Sequence, residues 1–337
     1  MNIEYNKSLL AYNTFHIDEA ASEFFEINTT NDLYEILEYA KQNNKKISFI
    51  GGGSNILLTQ KIDRLVIHNK LKGIEVTHET NEHLHIKFMS GENWHQCVRW
   101  CVEKNLGGIE NLSLIPGTVG AAPIQNIGAY GVELKDVFVE LEAIDTDTQQ
   151  KKIFTNSACN FGYRDSIFKS GAKNKYFIIS VTLQLQKIPV FNIDYGDIKK
   201  TLWEDFKNEV SVSNISDCVI KIRTSKLPDP DKIGNAGSFF KNPVIDTMLA
   251  EKLKEKFPLM PYYEAENGIK IPAAWLIEQC SWKGYNGGKY GVHTKQALVL
   301  VNYSNAKGAD ILELSNRIIT SVQQQFNITL EREVNIW

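Results

Sequence analysis

Apolar residues recur along this chain at two spacings, which together predict a mixture of helices and strands. Positions three and four residues apart, as at Leu33, Ile36 and Leu37, predict amphipathic helices. Proline is favoured at a helix start, and Pro243 and Pro272 each precede such a pattern. We expect helices over residues 33–42, 94–104, 215–225, 243–256, 273–283 and 309–326.

Alternating or continuous apolar runs of a few residues predict strands. We expect strands at residues 20–28, 47–50, 56–58, 65–68, 74–76, 83–89, 137–145, 151–155, 176–185, 297–302 and 328–337. Lys187-Ile188-Pro189 interrupts this pattern after a long apolar strand, so we place a domain boundary there.

Composition restricts the possible functions without naming one. The 337 residues suffice for two domains, and 43% apolar with 23% charged residues is ordinary for a globular protein. A net charge of −3 gives no support for binding to nucleic acid or a membrane surface. Residues 1–10 do not resemble a signal peptide, and no apolar run approaches the roughly 20 residues of a bilayer span. We therefore expect a cytoplasmic protein.

Five cysteines are scattered along the chain, and His95, Cys97 and Cys101 cluster closely enough to raise the question of a metal site. Cys97 and Cys101 are four residues apart on the apolar side of a predicted helix, beside Trp94 and Val98. Free cysteine commonly fills protein cores, so we expect packing, with no metal, disulfide or nucleophile.

A first glycine-rich loop, Gly51-Gly52-Gly53-Ser54-Asn55, lies between two predicted strands. A Rossmann fingerprint needs a helix directly after the glycines, and a P-loop needs Gly-Lys-Ser/Thr; neither is present. Unhindered backbone N–H groups can still bind a pyrophosphate, with the Ser54 and Asn55 side chains assisting. The alternative is a glycine-rich hairpin without a ligand.

A second glycine-rich stretch runs from Pro116 to Gly131. Two such loops in one domain, each with small residues around a Ser or Thr, suit one long ligand held at two places. A dinucleotide such as FAD fits that arrangement better than a mononucleotide does.

A third segment, Gly234 to Pro243, brings small residues up to Ser238 and continues into Phe239 and Phe240. Small residues let a flat ligand approach the backbone, and buried phenylalanines would hold the serine in place. The alternative is a turn followed by a buried Phe-Phe strand.

These segments, in this order, resemble the UDP-N-acetylenolpyruvoylglucosamine reductase (MurB) family. The resemblance covers the whole chain and lies in seven pieces: Asn13-Thr14-Phe15, Gly51 to Asn55, Pro116 to Gly131, Gly162-Tyr163-Arg164-Asp165-Ser166, Lys226 to Pro230, Gly234 to Pro243, and Glu331 to Val334. A further element, Tyr195-Gly196-Asp197, resembles the longer subgroup, which has a tyrosine loop over the substrate.

The resemblance implies an α+β fold with an FAD-binding domain of the vanillyl-alcohol-oxidase (PCMH) type and a smaller α+β substrate-binding domain. We expect the FAD domain over 1–186, in two lobes split near 70, the substrate domain over 187–326, and an active-site strand at 327–337. The implied reaction is the reduction of UDP-N-acetylglucosamine enolpyruvate by NADPH through FAD, in peptidoglycan synthesis. NADPH and the sugar nucleotide are expected to use one pocket in turn, in a monomer.

The resemblance also implies roles for individual residues. Ser238 would donate a proton, and Arg164 and Glu333 would complete the catalytic set. The implied FAD contacts are Gly51, Gly52, Gly53, Ser54, Asn55, Pro116, Gly117, Thr118, Gly120, Ala121, Gly128, Tyr130, Tyr163 and Arg223. The implied substrate contacts are Tyr195, Lys226, Asn242, Tyr262, Lys283 and Gln296.

One position departs from the family pattern: Asn335 stands where an arginine often follows the catalytic glutamate. Two other functions remain open on the residues alone. One is a different FAD-dependent sugar or alcohol oxidoreductase, and the other is a flavin- or nucleotide-sugar-binding regulator without turnover.

Overall fold

The computed structural model describes residues 2–337 and has an α+β fold. The chain folds into two compact units. Unit 1 comprises residues 1–7, 21–52 and 63–225, and unit 2 comprises residues 8–20, 53–62 and 226–337. The first glycine loop is therefore divided between the units after Gly52. The predicted functional domains are a different division of the chain and stay a prediction.

The strands are β1 (Glu4–Ser8), β2 (Ala20–Ile27), β3 (Ile47–Ile50), β4 (Ile56–Leu57), β5 (Ile62–Asn69), β6 (Ile74–Glu79), β7 (His83–Met89), β8 (Gly128–Ala129), β9 (Val132–Glu133), β10 (Phe138–Asp145), β11 (Lys151–Thr155), β12 (Tyr176–Gln186), β13 (Gly234–Ser238), β14 (Val244–Ile245), β15 (Tyr263–Ala265), β16 (Gly268–Lys270), β17 (Tyr290–Val292), β18 (Val299–Asn302) and β19 (Asn335–Ile336).

The helices are α1 (Thr30–Gln42), α2 (Trp94–Glu103), α3 (Asn156–Cys159), α4 (Ile198–Phe206), α5 (Val212–Lys226), α6 (Thr247–Lys256), α7 (Ala273–Gln279) and α8 (Gly308–Phe326). Among residues 2–337, no helix is both long and apolar enough to cross a bilayer.

Unit 1 is built on two sheets. The strand orders are β1-β2-β5-β3, with β3 and β5 parallel, and β11-β10-β12-β7-β6, which is antiparallel throughout. Helix α1 packs Leu33, Ile36 and Leu37 into a core shared with the first sheet. Helix α2 packs Trp94, Cys97, Val98 and Cys101 into the core of the second. The expected core packing of the two cysteines is confirmed.

A smaller core in unit 1 joins α4 and α5. Ile198 and Leu202 of α4 pack against Ile215 and Val219 of α5, and Tyr130 lies partly buried against them. This core places the end of the second glycine stretch beside the two helices that follow the tyrosine loop.

Unit 2 contains two three-stranded sheets, with orders β13-β18-β17 and β14-β16-β15, and a parallel pair, β19-β4. Ser238 is the last residue of β13 and lies opposite Val299 of β18. The phenylalanines that follow, Phe239 and Phe240, are fully buried, as expected.

Two sequence-based expectations about these elements were wrong. Pro243 does not begin a helix: β14 follows it, and α6 begins after Asp246, whose side chain accepts a hydrogen bond from Leu249 N–H. Aspartate is a strong N-cap, and it sets the helix start here in place of the proline. The expected strand over 328–337 is reduced to β19, where Asn335 and Ile336 pair with β4, and to an isolated bridge of Arg332 with Phe240.

Candidate active site

The two glycine loops meet within unit 1. A Cβ on Gly51 would overlap the Thr118 hydroxyl oxygen, and one on Gly52 would lie 3.1 Å from Gly117 Cα. Glycine at both positions is therefore what allows the two backbones to approach. The first loop lies between β3 and β4, as predicted.

The second loop is held by backbone hydrogen bonds to the strand end and turn before α2. Gly120 N–H donates to the Ser90 carbonyl, and a Cβ on Gly120 would collide with the Ser90 side chain. Trp94 N–H donates to the Gly117 carbonyl, and Val119 N–H to that of Glu92. The Gly117–Val119 turn is thus rigid before any ligand binds.

His95 supports the start of this loop. Its Nδ1 accepts a hydrogen bond of 2.9 Å from Leu114 N–H, and Leu114 has a φ of +59°, a region that leucine rarely adopts. Burial, with the charges of Arg99 and Arg223, lowers the pKa of His95. The ring is therefore neutral near pH 7, as an acceptor must be.

Arg164 projects from a tight turn in which Gly162 and Asp165 pair. Its own φ is +53°, its guanidinium lies 5.5 Å from the centre of the Tyr163 ring, and its Nη2 donates to the Gly128 carbonyl at 2.6 Å. A planar cation held beside an aromatic ring and by a backbone carbonyl is suited to a carboxylate.

Arg223, on α5, has a buried Nε with no hydrogen-bond partner among residues 2–337. Burial lowers the pKa of its guanidinium; Tyr130 acts in the opposite direction, and the charge of Arg164 adds to the lowering. A buried cation without a partner at this atom is costly unless a ligand supplies an acceptor. Together with the glycine cradle, it fits a flat, anionic cofactor such as FAD.

Tyr130 and Tyr195 meet edge to face in unit 1, with ring centres 6.4 Å apart. Tyr195 is 59% exposed, as a residue that covers a ligand would be. Asn111 joins the two segments: its side-chain amide donates to the carbonyls of Tyr130 and Asn192. Sequence reasoning missed Asn111, since an isolated asparagine carries no periodic or motif signal.

In unit 2, hydrogen bonds join distant segments to the one that carries Ser238. Thr14 N–H donates to the Gly53 carbonyl, and the Thr14 hydroxyl donates to the Asn235 carbonyl at 2.6 Å. Asn235 N–H donates in return to the Thr14 carbonyl. Asn13-Thr14-Phe15 suggested no role in the sequence. In the structure, Thr14 joins the first glycine loop to the serine segment.

Glu333 reaches the same segment through the main chain. Its N–H donates to the Phe239 carbonyl, and its carbonyl accepts from the Asn55 side chain at 3.3 Å. Phe240 pairs with Arg332 in the same antiparallel manner. Ser238 and Glu333 therefore stand on neighbouring extended segments.

Asn335, the departure from the family pattern, also contacts the first glycine loop. Both its backbone N–H and its side-chain amide donate to the Asn55 carbonyl, at 3.0 and 3.1 Å. Here an amide binds the loop at the position where an arginine is frequent.

The expected substrate contacts lie on different elements of the chain. Asn242 Oδ1 caps α7 by accepting from Ala273 N–H, and Gln296 lies in the turn before β18, with its Oε1 3.4 Å from Leu298 N. Lys226 is exposed at the end of α5. Two further expected contacts have local partners: Lys254 lies over the Tyr262 ring, and Lys283 pairs with Glu278.

Comparison with known proteins gave consistent matches. A family model described as the UDP-N-acetylenolpyruvoylglucosamine reductase C-terminal domain matches residues 229–337, and an FAD-binding domain model matches residues 21–153. These matches confirm the predicted fold class.

Curated relatives match the chain from end to end. UDP-N-acetylenolpyruvoylglucosamine reductases of Flavobacterium johnsoniae and Amoebophilus asiaticus are each 48% identical to it, over 100% of this chain and 100% and 99% of theirs. The Pseudomonas putida reductase is 43% identical over 98% of this chain and 97% of its own. The crystal structure of the Thermus caldophilus reductase shares the fold, with a TM-score of 0.69 at 21% identity, covering 100% of this chain and 99% of that one.

Proposed function

The chain belongs to the UDP-N-acetylenolpyruvoylglucosamine reductase family, and from this premise we propose which of its residues carry the reaction. The protein is an FAD-dependent oxidoreductase of peptidoglycan synthesis that reduces UDP-N-acetylglucosamine enolpyruvate to UDP-N-acetylmuramate with NADPH. When bound, FAD supplies the two-electron relay that carries hydride from NADPH to the enolpyruvyl group.

The reaction determines what the protein must provide. Hydride addition to the terminal carbon of the enolpyruvyl ether leaves negative charge on the carbon next to the carboxylate. That charge spreads into the carboxylate, so the protein must stabilise a dianionic enolate that exists only after hydride addition. It must also deliver one proton to the carbon.

Ser238 is the proposed proton donor. The observation that carries this proposal is that Thr14 and Glu333, both distant in the sequence, hold its segment through hydrogen bonds at Asn235 and Phe239. Buried Phe239 then fixes the position of the serine, and a proton donor must be held within fractions of an ångström. No side chain among residues 2–337 hydrogen-bonds the Ser238 hydroxyl, which leaves it available to a substrate.

Arg164 is the proposed partner of the substrate carboxylate, because its guanidinium fork matches two carboxylate oxygens. An ionised Glu333 beside a developing anion would be unfavourable, so a shared proton must separate the two charges. We assign Glu333 to that proton network, in which it orients the donor or carries the proton itself.

The proposed FAD contacts are Gly51, Gly52, Gly53, Ser54, Asn55, the Pro116–Ala121 turn, Gly128, Tyr130, Tyr163 and Arg223. The cradle that a Cβ would fill and the unpaired Arg223 Nε support this assignment. Lys226, Asn242 and Gln296 are proposed contacts to the UDP diphosphate, with Tyr195 as its cover and Tyr262 and Lys283 as further contacts.

Further proposals concern the whole protein. NADPH and the sugar nucleotide are proposed to use one pocket in turn, in a cytoplasmic monomer. We also propose FAD binding by residues 1–186, substrate binding by 187–326 and a contribution of 327–337 to the active site.

Stopped-flow kinetics of Ser238→Ala tests the central assignment. Flavin reduction by NADPH should survive, because it needs no proton at the substrate carbon. Reoxidation by the enolpyruvyl substrate should slow by at least roughly 10²–10⁴-fold, the usual contribution of general acid catalysis. Equal slowing of both half-reactions would remove Ser238 from the proton-transfer step.

Ser304→Ala is the matched control, since Ser304 is exposed in the loop after β18. It should leave both half-reactions and the flavin content unchanged. A loss of bound flavin in Ser238→Ala would indicate a structural role instead.

Neither alternative function accounts for the match of residues 229–337 to the reductase C-terminal domain. Steady-state assays separate them directly. NADPH consumption that depends on the enolpyruvyl sugar nucleotide is expected here, whereas a sugar oxidase would respond to a free sugar and a regulator would show no turnover.

A further inference from the structure

Two histidines face each other on the edge of the five-stranded sheet of unit 1, away from the proposed flavin contacts in sequence. His78 of the edge strand β6 is paired in register with His85 of β7. Directly opposed residues of an antiparallel pair project to the same face of the sheet, with Cβ atoms about 4.5–5.5 Å apart.

The pair lies on the outer face of the sheet. The next residue of β7, Ile86, is fully buried in the core, and successive side chains of a strand alternate between faces. His78 is exposed and His85 half-buried. Both imidazoles can therefore be reached from solvent, and Ile86 and Phe88 anchor β7 in the core.

The distance between the rings suits a shared metal ion. Their centres are 5.1 Å apart, with the ring planes inclined at 58°. Imidazole nitrogen binds Zn²⁺ at about 2.0–2.1 Å, and adding a ring radius of roughly 1.1 Å places two tetrahedrally arranged ring centres about 5 Å apart.

A third side chain, that of Gln184, orients the imidazole of His85. His85 Nε2 lies 3.0 Å from Gln184 Oε1, on the neighbouring strand β12. Because an amide oxygen only accepts, Nε2 carries the hydrogen and the lone pair stays on Nδ1. Histidines that bind metals characteristically donate their other N–H to such an acceptor, which orients the ring.

We propose that His78 and His85 form a two-histidine binding site for a divalent late transition metal, with Gln184 as the positioning residue. Imidazole suits Cu²⁺, Ni²⁺ and Zn²⁺. No group of three or more His, Cys, Asp and Glu side chains in residues 2–337 is arranged to hold a metal, so water completes the coordination. The site is independent of the proposed flavin chemistry.

The direct test is calorimetric titration of Ni²⁺ into the purified, tag-free holoenzyme. We expect one equivalent to bind to the wild type, and His78→Ala and His85→Ala each to weaken this binding at least tenfold. Gln184→Leu keeps both ligands and should weaken binding by roughly 10–100-fold, as loss of such a hydrogen bond commonly does. Enzyme activity should be unchanged in all three variants.

His83→Ala is the matched control, because His83 lies on the same strand, two residues from His85, and pairs with Gln186 instead. It should bind Ni²⁺ as the wild type does. Binding also bridges the edge strand to its neighbour, so Ni²⁺ should slow amide exchange in Ile74–Glu79 of the wild type and not of His78→Ala.

The proposal would be overturned by absence of Ni²⁺ binding to the wild type, by binding that survives both His78→Ala and His85→Ala, or by an equal loss in His83→Ala. Nitrogen hyperfine splitting from two imidazoles in the Cu²⁺ complex would support it independently, and a signal from one imidazole would contradict it.

Discussion

At the scale of single residues, burial decides the chemistry of several titratable groups in unit 1. His95 is kept neutral beside two arginines and so can accept the Leu114 N–H, while Arg223 is enclosed with its Nε unpaired. The neutral His95 ring stabilises the unfavourable backbone conformation of Leu114. The Arg223 guanidinium is suited to an anionic ligand. Both effects arise from the packing of α2 and α5 around the second glycine loop.

His95 should make stability depend on pH in one direction. Its folded-state pKa is lowered, mainly by burial, so the unfolded chain takes up a proton first as the pH falls through about 6.5. The free energy of unfolding should then decrease until the pH reaches the folded-state pKa, and should not change through His95 above the unfolded value. Urea unfolding between about pH 5 and 8 measures this.

His95→Asn is the comparison, since the Asn side chain has an acceptor oxygen and does not titrate. The difference in unfolding free energy between wild type and variant should shrink as the pH is lowered below about 6.5. His293, whose pKa burial also lowers, contributes equally to both proteins and cancels. A difference independent of pH would show that His95 does not titrate as inferred.

At the scale of elements, close backbone contacts outweigh intrinsic propensity. The apolar residues of α8 recur at helical spacing, but the helix begins at Gly308, and glycine is a poor helix former. A Cβ at Gly308 would overlap the carbonyl oxygen of Leu58, which directly follows β4. The glycine is needed because the helix start lies against that carbonyl.

Gly308→Ala should therefore destabilise the protein, although alanine is favoured over glycine by about 1 kcal/mol within a helix. We expect a net loss of roughly 1–3 kcal/mol, the usual cost of forcing extra atoms into a packed site. Equilibrium urea unfolding, with constant m-value, measures the change.

Gly171→Ala is its control, since no atom lies within 4 Å of a Cβ built there. That substitution should change stability by no more than about 0.5 kcal/mol. If Gly308→Ala were neutral or stabilising, the close approach of α8 to Leu58 would be wrong.

At the scale of the whole molecule, the reactivity of the cysteines reports on the opening of each unit separately. Cys97, Cys101, Cys159 and Cys218 are buried in unit 1, whereas Cys280 in unit 2 is half-buried. Burial raises the pKa of Cys97 and Cys159 to about 12 and that of Cys218 to about 11. These thiols react only when unit 1 opens.

Thiol labelling near pH 8 should modify Cys280 first and leave the four thiols of unit 1 protected. Added FAD should slow labelling of those four, because a ligand that binds the folded state lowers the open population by the factor 1 + [FAD]/Kd. Mass spectrometry of labelled peptides with and without FAD measures this. Labelling of Cys97 as fast as Cys280 would contradict the assigned burial.

Much of the fold could be read from the sequence, because local signals specify it. The helices α1, α2, α5 and α8 and the strands β7 and β12 lie where periodicity predicted them. Backbone conformation and the burial of one face are properties of a short segment, so a short segment reveals them. The glycine loops and the Ser238 segment could be singled out as candidates for the same reason: each is a compact motif of small residues.

The tertiary structure alone decided which distant segments meet. Thr14 has no local feature that joins it to Gly53 or Asn235. Asn55 has none that joins it to Glu333 or Asn335, and these bonds appear only once the chain is folded. The short β19 likewise depends on pairing with β4, which is remote in the sequence. Register and close approach are set by contacts of long sequence separation, which no window of the sequence contains.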